Sequence, residues 1–160
     1  MKKLKIYLDT SVISHLDAHD APKEMNDTLK LWEQIRVREY EVVLSDVVFN
    51  ELARCSEPKG SRLDAFLRQI QYSIAKEDEN ALALAGKFID LKVLKEKSLN
   101  DCRHIAAALV SGCDAIASWN FKHIVNAKTI RGTKAITALE GYKDLIICSP
   151  TMLIGGIDDE

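Results

Sequence analysis

Short apolar runs alternate along the chain with longer stretches in which apolar residues recur at helical spacing, and this alternation sets the expected fold. Ile6-Tyr7-Leu8 is β-prone and stops at Asp9-Thr10-Ser11, small polar residues suited to turning the chain and capping a helix. Residues 22–38 have helical composition, with Pro22 acceptable in a first turn and Leu29, Leu31, Trp32 and Ile35 at mixed helical spacing. Glu41 to Leu44 predicts a second strand, after which Ser45-Asp46 caps a helix running to about Cys55. Glu57-Pro58-Lys59-Gly60 reads as a loop. Helices are expected over 61–70 and about 79–95, with a short strand at 72–75 between them. Ser98 or Asn100 caps the next helix, which runs to about Ser111 and stops at Gly112. Asp114 to Trp119 predicts a buried strand, 128–140 a helix, and Leu145 to Cys148 a last strand before Ser149-Pro150.

Strands alternating with helices imply right-handed crossovers and a mostly parallel sheet covered on both faces. The expected fold class is therefore α/β, a single layered domain spanning 1–160. A chain of 160 residues suits one domain, and 47% hydrophobic residues supply a core that needs no disulfide or metal to fold. A charged fraction of 29% with a net charge of −2 excludes a disordered chain and a globally basic nucleic-acid binder, so any nucleic-acid site must be local. Cys55, Cys102, Cys113 and Cys148 form no C-x-x-C pair and read as reduced, mostly buried thiols. The basic start is followed by an apolar stretch that Asp9 interrupts at once, so no export signal is expected. The longest strictly apolar run, Ile105 to Val110, falls far short of the ~20 residues a membrane span needs, and a cytoplasmic protein is expected.

In open parallel sheets ligands collect at the carboxyl ends of the strands, which singles out Asp9 after the first strand and Asn120 after the strand ending near Trp119. On a helical wheel Glu51 falls inside the apolar arc of Val48, Leu52 and Cys55. Asp101 falls beside Ile105, Ala108 and Leu109. Taken singly, Asp9 is a loop residue satisfying backbone amides, and Asp101 a first-turn acid favoured by the macrodipole. Jointly, three inward carboxylates need compensation, from Arg or Lys partners or from a divalent cation. Arg54 and Arg103 project elsewhere on their helices, so a hard, oxygen-ligated metal fits better.

Four blocks in register carry a resemblance across nearly the whole chain: Ile6-Tyr7-Leu8-Asp9-Thr10-Ser11-Val12-Ile13, Asn50-Glu51-Leu52, Asn100 to Ala108, and Ile116-Ala117-Ser118-Trp119-Asn120-Phe121. The sequence resembles PIN-domain ribonucleases, in particular VapC-like toxins. The resemblance implies a three-layer α/β/α sandwich with a mostly parallel sheet of four or five strands, and an acidic pocket that binds Mg2+ or Mn2+ and cleaves RNA to 5′-phosphate and 3′-hydroxyl ends. Asp9, Glu51 and Asp101 stand at the family's three acidic positions, whereas Asn120 replaces its frequent fourth acid. That exchange removes one charge and weakens a second metal site. Asp9 and Asp101 are the expected metal ligands. Glu51 would position the attacking water, with Asn120, Thr10 and Ser118 orienting the ligands. The resemblance also implies a small antitoxin partner and a homodimer.

Lys122 and His123, shortly after Asn120, are the expected RNA contacts, since phosphates dominate nucleic-acid affinity. Lys128, Arg131 and Lys134 extend the basic stretch, and Gly132 allows close backbone approach. Three further readings compete with a nuclease. A catalytically weakened PIN-fold RNA-binding or regulatory protein follows from the missing fourth acid. A dehalogenase-type phosphatase wants a second Asp where Ser11 stands. His15 and His19, four apart, offer a weak zinc pair if residues 11–19 are helical.

Overall fold

A computed structural model describes residues 2–156. Its five strands are β1 (Leu4–Leu8), β2 (Tyr40–Ser45), β3 (Ser73–Ala75), β4 (Ala115–Ala117) and β5 (Ile146–Cys148). All four pairings are parallel, in the order β3-β2-β1-β4-β5. Ile6, Tyr7 and Leu8 of β1 and all three residues of β4 are inaccessible, as befits central strands covered on both faces. Edge strand β3 leaves Ile74 half exposed.

Between β1 and β2 run α1 (Thr10–Ser14), a 3-10 turn at His15–Asp17, and α2 (Pro22–Arg36). Helices α3 (Asp46–Leu52) and α4 (Lys59–Leu67) lead to β3, and α5 (Glu79–Asp90) and α6 (Leu99–Val110) return the chain to β4. Helix α7 (Ala127–Glu140) connects β4 to β5, and α8 (Pro150–Ile154) follows β5. Helix α2 packs on α8 and on the 3-10 turn, which α1 and α4 also touch; α5 packs on α6 and α7. The expected α/β/α sandwich is thus observed, with five strands. Among the described residues no helix is long and apolar enough to cross a membrane.

Several boundaries differ from expectation, two of them for a plain local reason. Helix α5 ends at Asp90 rather than near 95, because Lys92 adopts a left-handed φ of 60° and turns Val93 and Leu94 into the core. Ser149-Pro150, read as the end of the last strand, opens α8, since proline's fixed φ suits a first helical turn. Leu153 of α8 is fully buried, and Tyr40 Oη donates to its carbonyl at 2.6 Å. Helix α3 closes at Leu52 instead of continuing to Cys55. The four cysteines are unpaired; burial pushes the Cys102 and Cys148 thiols up to about 12, so both serve as packing groups.

Gly132 does provide a close approach, but to the protein's own core. A Cβ built there falls against Cγ1 of Val93 and within 2.7 Å of Cγ2. Gly132→Ala is therefore expected to lower stability by about 1–3 kcal/mol, the overpacking cost exceeding the gain in helix propensity. Thermal melts of Gly132→Ala and of Gly132→Ala/Val93→Ala check this: the second change should recover part of the loss. A more stable single variant would sink it.

Candidate active site

Strands β1 and β4 are neighbours although most of the chain lies between them, and from this pair the order proceeds to β2 and β3 on one side and to β5 on the other. Such a reversal opens a crevice at the carboxyl ends of the two strands. Asp9 leaves β1 and Ser118 leaves β4 at that crevice, held abreast by the pairing of Leu8 with Ala117.

Asp9 is 3% exposed and fully engaged. Its Oδ1 accepts from Ser11 Oγ at 2.6 Å and from the Val12 N–H at 3.3 Å, capping α1, and its Oδ2 accepts from Ser118 Oγ at 2.6 Å. Burial raises this carboxyl above its ordinary range, opposed by the charge of His104 and by the three hydrogen bonds.

Asp101 sits in the first turn of α6, half-buried. Burial raises its carboxyl, and the charges of Asp9 and Glu51 raise it further, against His123 and His104. Asn120 Nδ2 donates to Asp101 Oδ1 at 3.2 Å, while Asn120 Oδ1 accepts from the His123 backbone N–H at 3.0 Å. A backbone N–H can only donate, so it orients the amide: the amino group faces the acid and the oxygen faces the loop. Asn120, expected to orient a ligand, thus meets Asp101 through its amino group.

Glu51 is held from α3 by a chain of polar groups that sequence reasoning misses. Its Oε1 accepts from Thr10 Oγ1 at 2.6 Å and pairs with His104 Nε2 at 2.6 Å. His104, 2% exposed, contacts Tyr7 Oη through Nδ1 at 2.7 Å, and Tyr7 Oη contacts Ser45 Oγ at 2.7 Å. An ionised carboxylate only accepts, so His104 Nε2 carries a proton; in a neutral ring Nδ1 then accepts from Tyr7. Burial by itself raises the Glu51 carboxyl, but the hydrogen bonds from His104 and Thr10 and the charges of His104 and Arg103 bring it below its ordinary value. Burial also drives the Tyr7 phenol well above its usual value, so it stays neutral.

The compensation sought in Arg or Lys is therefore supplied for Glu51 by a histidine. Arg103 is engaged elsewhere, donating to both carboxylate oxygens of Glu77 at 2.6 and 2.8 Å. A sequence signal for His104 exists: it lies three residues after Asp101, about 60° around the helix, on the same face. Of the other histidines, His15 Nδ1 lies 2.7 Å from the Ser11 carbonyl, and exposed His19 pairs with Asp17 at 3.0 Å. Among the described residues no three or more of His, Cys, Asp and Glu lie close enough together to cage an ion, whether around His15 and His19 or around Asp9, Glu51 and Asp101, so the zinc pair finds no support and the three acids form no closed protein cage.

The donor chemistry nevertheless suits a hard cation. Both hydrogen bonds to Glu51 fall on Oε1, and the one to Asp101 falls on Oδ1, so each acid keeps a second oxygen without a partner among the described residues. Mg2+ typically binds through one or two carboxylates, waters and substrate phosphates rather than a complete protein cage.

Beside the acids lies a basic cleft of about 180 Å³, lined by Lys95, Lys97, Lys122, His123 and Lys128 and by no acidic side chain. None of these lysines makes an ion pair or a side-chain hydrogen bond among the described residues. Lys122 and His123 thus stand at the site, joined by Lys95 and Lys97 from the turn before α6, which carry no distinguishing signal in the sequence. Lys134 faces away and pairs with Asp144 at 3.6 Å. In α2, Leu31, Trp32 and Ile35 fill the core, whereas Met25 and Leu29 line a separate groove of about 480 Å³ with Leu16 and Phe66.

The sequence profile of the PIN domain matches residues 6–124. No curated protein matches the chain in sequence. Among solved structures, the chain is similar to VapC20 of Mycobacterium tuberculosis, a toxin that cleaves the sarcin-ricin loop, with 18% identity and a TM-score of 0.58 over 74% of this chain and 92% of that one. It is also similar to VapBC2 of Rickettsia felis, solved bound to a DNA fragment from its own promoter, with 15% identity and a TM-score of 0.55 over 90% of this chain and 97% of that one. At such identities the likeness establishes the fold.

Proposed function

This chain belongs to the PIN domain family, whose members are nucleases, and from that membership we propose that it is a metal-dependent endoribonuclease, the toxin of a type II toxin–antitoxin pair. The observation that carries this reading is that Asp9, Glu51 and Asp101 each bond to residues just after β1 or β4, and that the charges of Asp9 and Glu51 together with burial raise the Asp101 carboxyl. Carboxylates held in this way gain from a cation that neutralises their repulsion. Mg2+ or Mn2+, held by Asp9 and Asp101, would neutralise the scissile phosphate and acidify a water.

The remaining work falls to the chain's own groups. Glu51, held ionised by His104 and Thr10 and with Oε2 unpartnered among the described residues, would orient the attacking water. The His104, Tyr7 and Ser45 series fixes Glu51 from behind, and Ser11 and Ser118 fix Asp9. Asn120 steers Asp101 through its amino group. Water oxygen bonds to phosphorus as the bond from phosphorus to the 3′-oxygen breaks, giving a 5′-phosphate and a 3′-hydroxyl. The likeness to VapBC2 supports a small antitoxin partner, which would block the pocket with a helix and a basic side chain reaching the carboxylates.

Incubating the purified chain with a mixed small-RNA pool in Mn2+ and sequencing the cleaved ends tests the reading. Discrete cuts with 5′-phosphates, abolished by chelator, are expected. Specific binding with no cut would favour the alternative of a weakened RNA-binding protein, a reading that the amide in place of a fourth acid supports.

The basic cleft adds a separate expectation. Lys95→Ala/Lys97→Ala should weaken binding of single-stranded RNA across sequences and flatten the dependence of log Kd on log salt by roughly 0.7 for each phosphate no longer neutralised. Titrations at several salt concentrations check it. An unchanged slope would take the cleft out of the RNA path.

A further inference from the structure

Between Asn120, which touches Asp101, and the cationic pair Lys122 and His123 stands Phe121, a phenylalanine 53% exposed to solvent. A single exposed apolar residue is ordinary on a protein surface. This one is unusual in how firmly its loop is held. Asn126 Nδ2 donates to the carbonyls of Phe121 and Lys122, each at 3.0 Å. The Ile124 and Val125 N–H groups both donate to the Asn120 carbonyl at 2.9 Å, and Ile124 itself is fully buried beneath the loop. Thr129 Oγ1 donates to the His123 carbonyl at 2.7 Å.

The ring is also the outer end of an aromatic row. Its centroid lies 6.2 Å from that of Trp119 at 60°, and Trp119 lies 5.7 Å from His15. Trp119 is pinned in turn by its indole N–H, which donates to buried Thr28 Oγ1 at 2.8 Å. An aromatic face is thus presented rigidly, one residue from the acid pocket, and the cleft of unpaired lysines begins one residue further on.

We propose that Phe121 is a base-stacking platform, the residue against which an unpaired nucleotide flanking the cut is held. The lysine cleft attracts any phosphate backbone. A base, however, reaches an aromatic face only when it is unstacked from its neighbours, as in single strands and loops. Preorganisation of the loop reduces the entropy lost on stacking. The inference rests on the nuclease reading and adds to it one specificity residue. A protein partner placing an apolar side chain on the same ring is the competing occupant, but the flanking Lys122, His123 and nearby Lys128 match a polyanion better.

The test is a cycle between the ring and the base. Once the cleavage position is mapped in Mn2+, steady-state kinetics are measured for the parent chain, Phe121→Ala, Phe121→Leu and Phe121→Trp, on the single strand, on its perfect duplex, and on strands carrying an abasic ribose at each nucleotide flanking the cut. On the single strand Phe121→Ala should lose roughly 5- to 100-fold, expressed in KM, with Phe121→Trp near the parent and Phe121→Leu close to alanine. One abasic strand should cost the parent chain a similar factor and cost Phe121→Ala almost nothing more, and the duplex should be cut poorly by all variants. Independent losses, full activity in Phe121→Leu, or equal cleavage of the duplex would overturn the platform. So would unchanged RNA kinetics alongside weakened binding of a protein partner. If the parent chain cut no RNA at all, the nuclease reading would fall and take the platform with it, an outcome readily told apart from the others.

Discussion

With Mn2+ present, Asp101→Asn cuts RNA at least about 10²-fold more slowly than the parent chain; without metal, it melts above the parent chain. The loss of rate follows from removing a charge that would hold the cation. The gain in stability follows from the same charge. Burial and the nearby Asp9 and Glu51 raise the Asp101 carboxyl, so the folded state holds its proton more tightly than the unfolded chain does. Stability from this group is complete below the ordinary carboxylate range and is lost as pH rises through the raised folded value; at neutral pH the ionised acid strains the metal-free fold. Asparagine removes the charge and keeps an oxygen to accept from Asn120.

Asp9→Asn should lose activity equally without the gain in stability. Asp9 uses both oxygens as acceptors, and an amino group in place of Oδ2 would take away the acceptor of the Ser118 hydroxyl, which donates to it at 2.6 Å. Melting curves of both variants in chelator, beside rates in Mn2+, check the pair. Full activity in Asp101→Asn would remove it from the site. A lower Tm than the parent's would show that its charge is no burden to the fold.

His104→Ala is expected to cost about 2–4 kcal/mol of stability and most of the activity. The substitution opens a cavity at a buried position and removes the partner of both Tyr7 and Glu51. Without His104 the Glu51 carboxyl drifts upward, because the burial that raises it persists while its strongest opposing contact is gone. The stability that Glu51 contributes above its unfolded pKa, lost in the parent as pH falls through the lowered folded value, disappears in the variant. Tyr7→Phe keeps the ring and should cost about 1 kcal/mol. If the series works as a unit, the double variant will show a coupling of about 0.5–3 kcal/mol. Simple addition of the two losses would mean that His104 and Tyr7 act separately.

Most of the fold is legible in the sequence because it is written in local pattern. The apolar runs at Ile6 to Leu8, Val42 to Leu44 and Ile116 need no tertiary knowledge to be read as strands, nor does the amphipathic spacing of α2 to be read as a helix. The boundaries that differ are places where a short-range signal has two meanings. Pro150 both ends a strand and starts a helix, and nothing short of α2 waiting to be covered by Leu153 distinguishes the two. Lys92 ends α5 with an αL residue that carries no glycine to announce it.

The three acids are visible in the sequence because a carboxylate on an apolar face is anomalous by itself, whatever surrounds it. His104 shows only by sharing the helix face of Asp101, and its role is unreadable until a carboxylate from another element meets its ring. The sequence by itself determined the alternation of strands and helices, the inward acids and the local basic stretch, all of which depend on residues close together in the chain. Only the tertiary structure decided what those residues touch: that Asn120 turns its amino group to Asp101, that Lys95 and Lys97 join Lys122, and that Gly132 admits Val93. The physical reason is that hydrogen-bond direction and charge convergence are properties of pairs, and the partners here lie on elements that only the sheet order brings together.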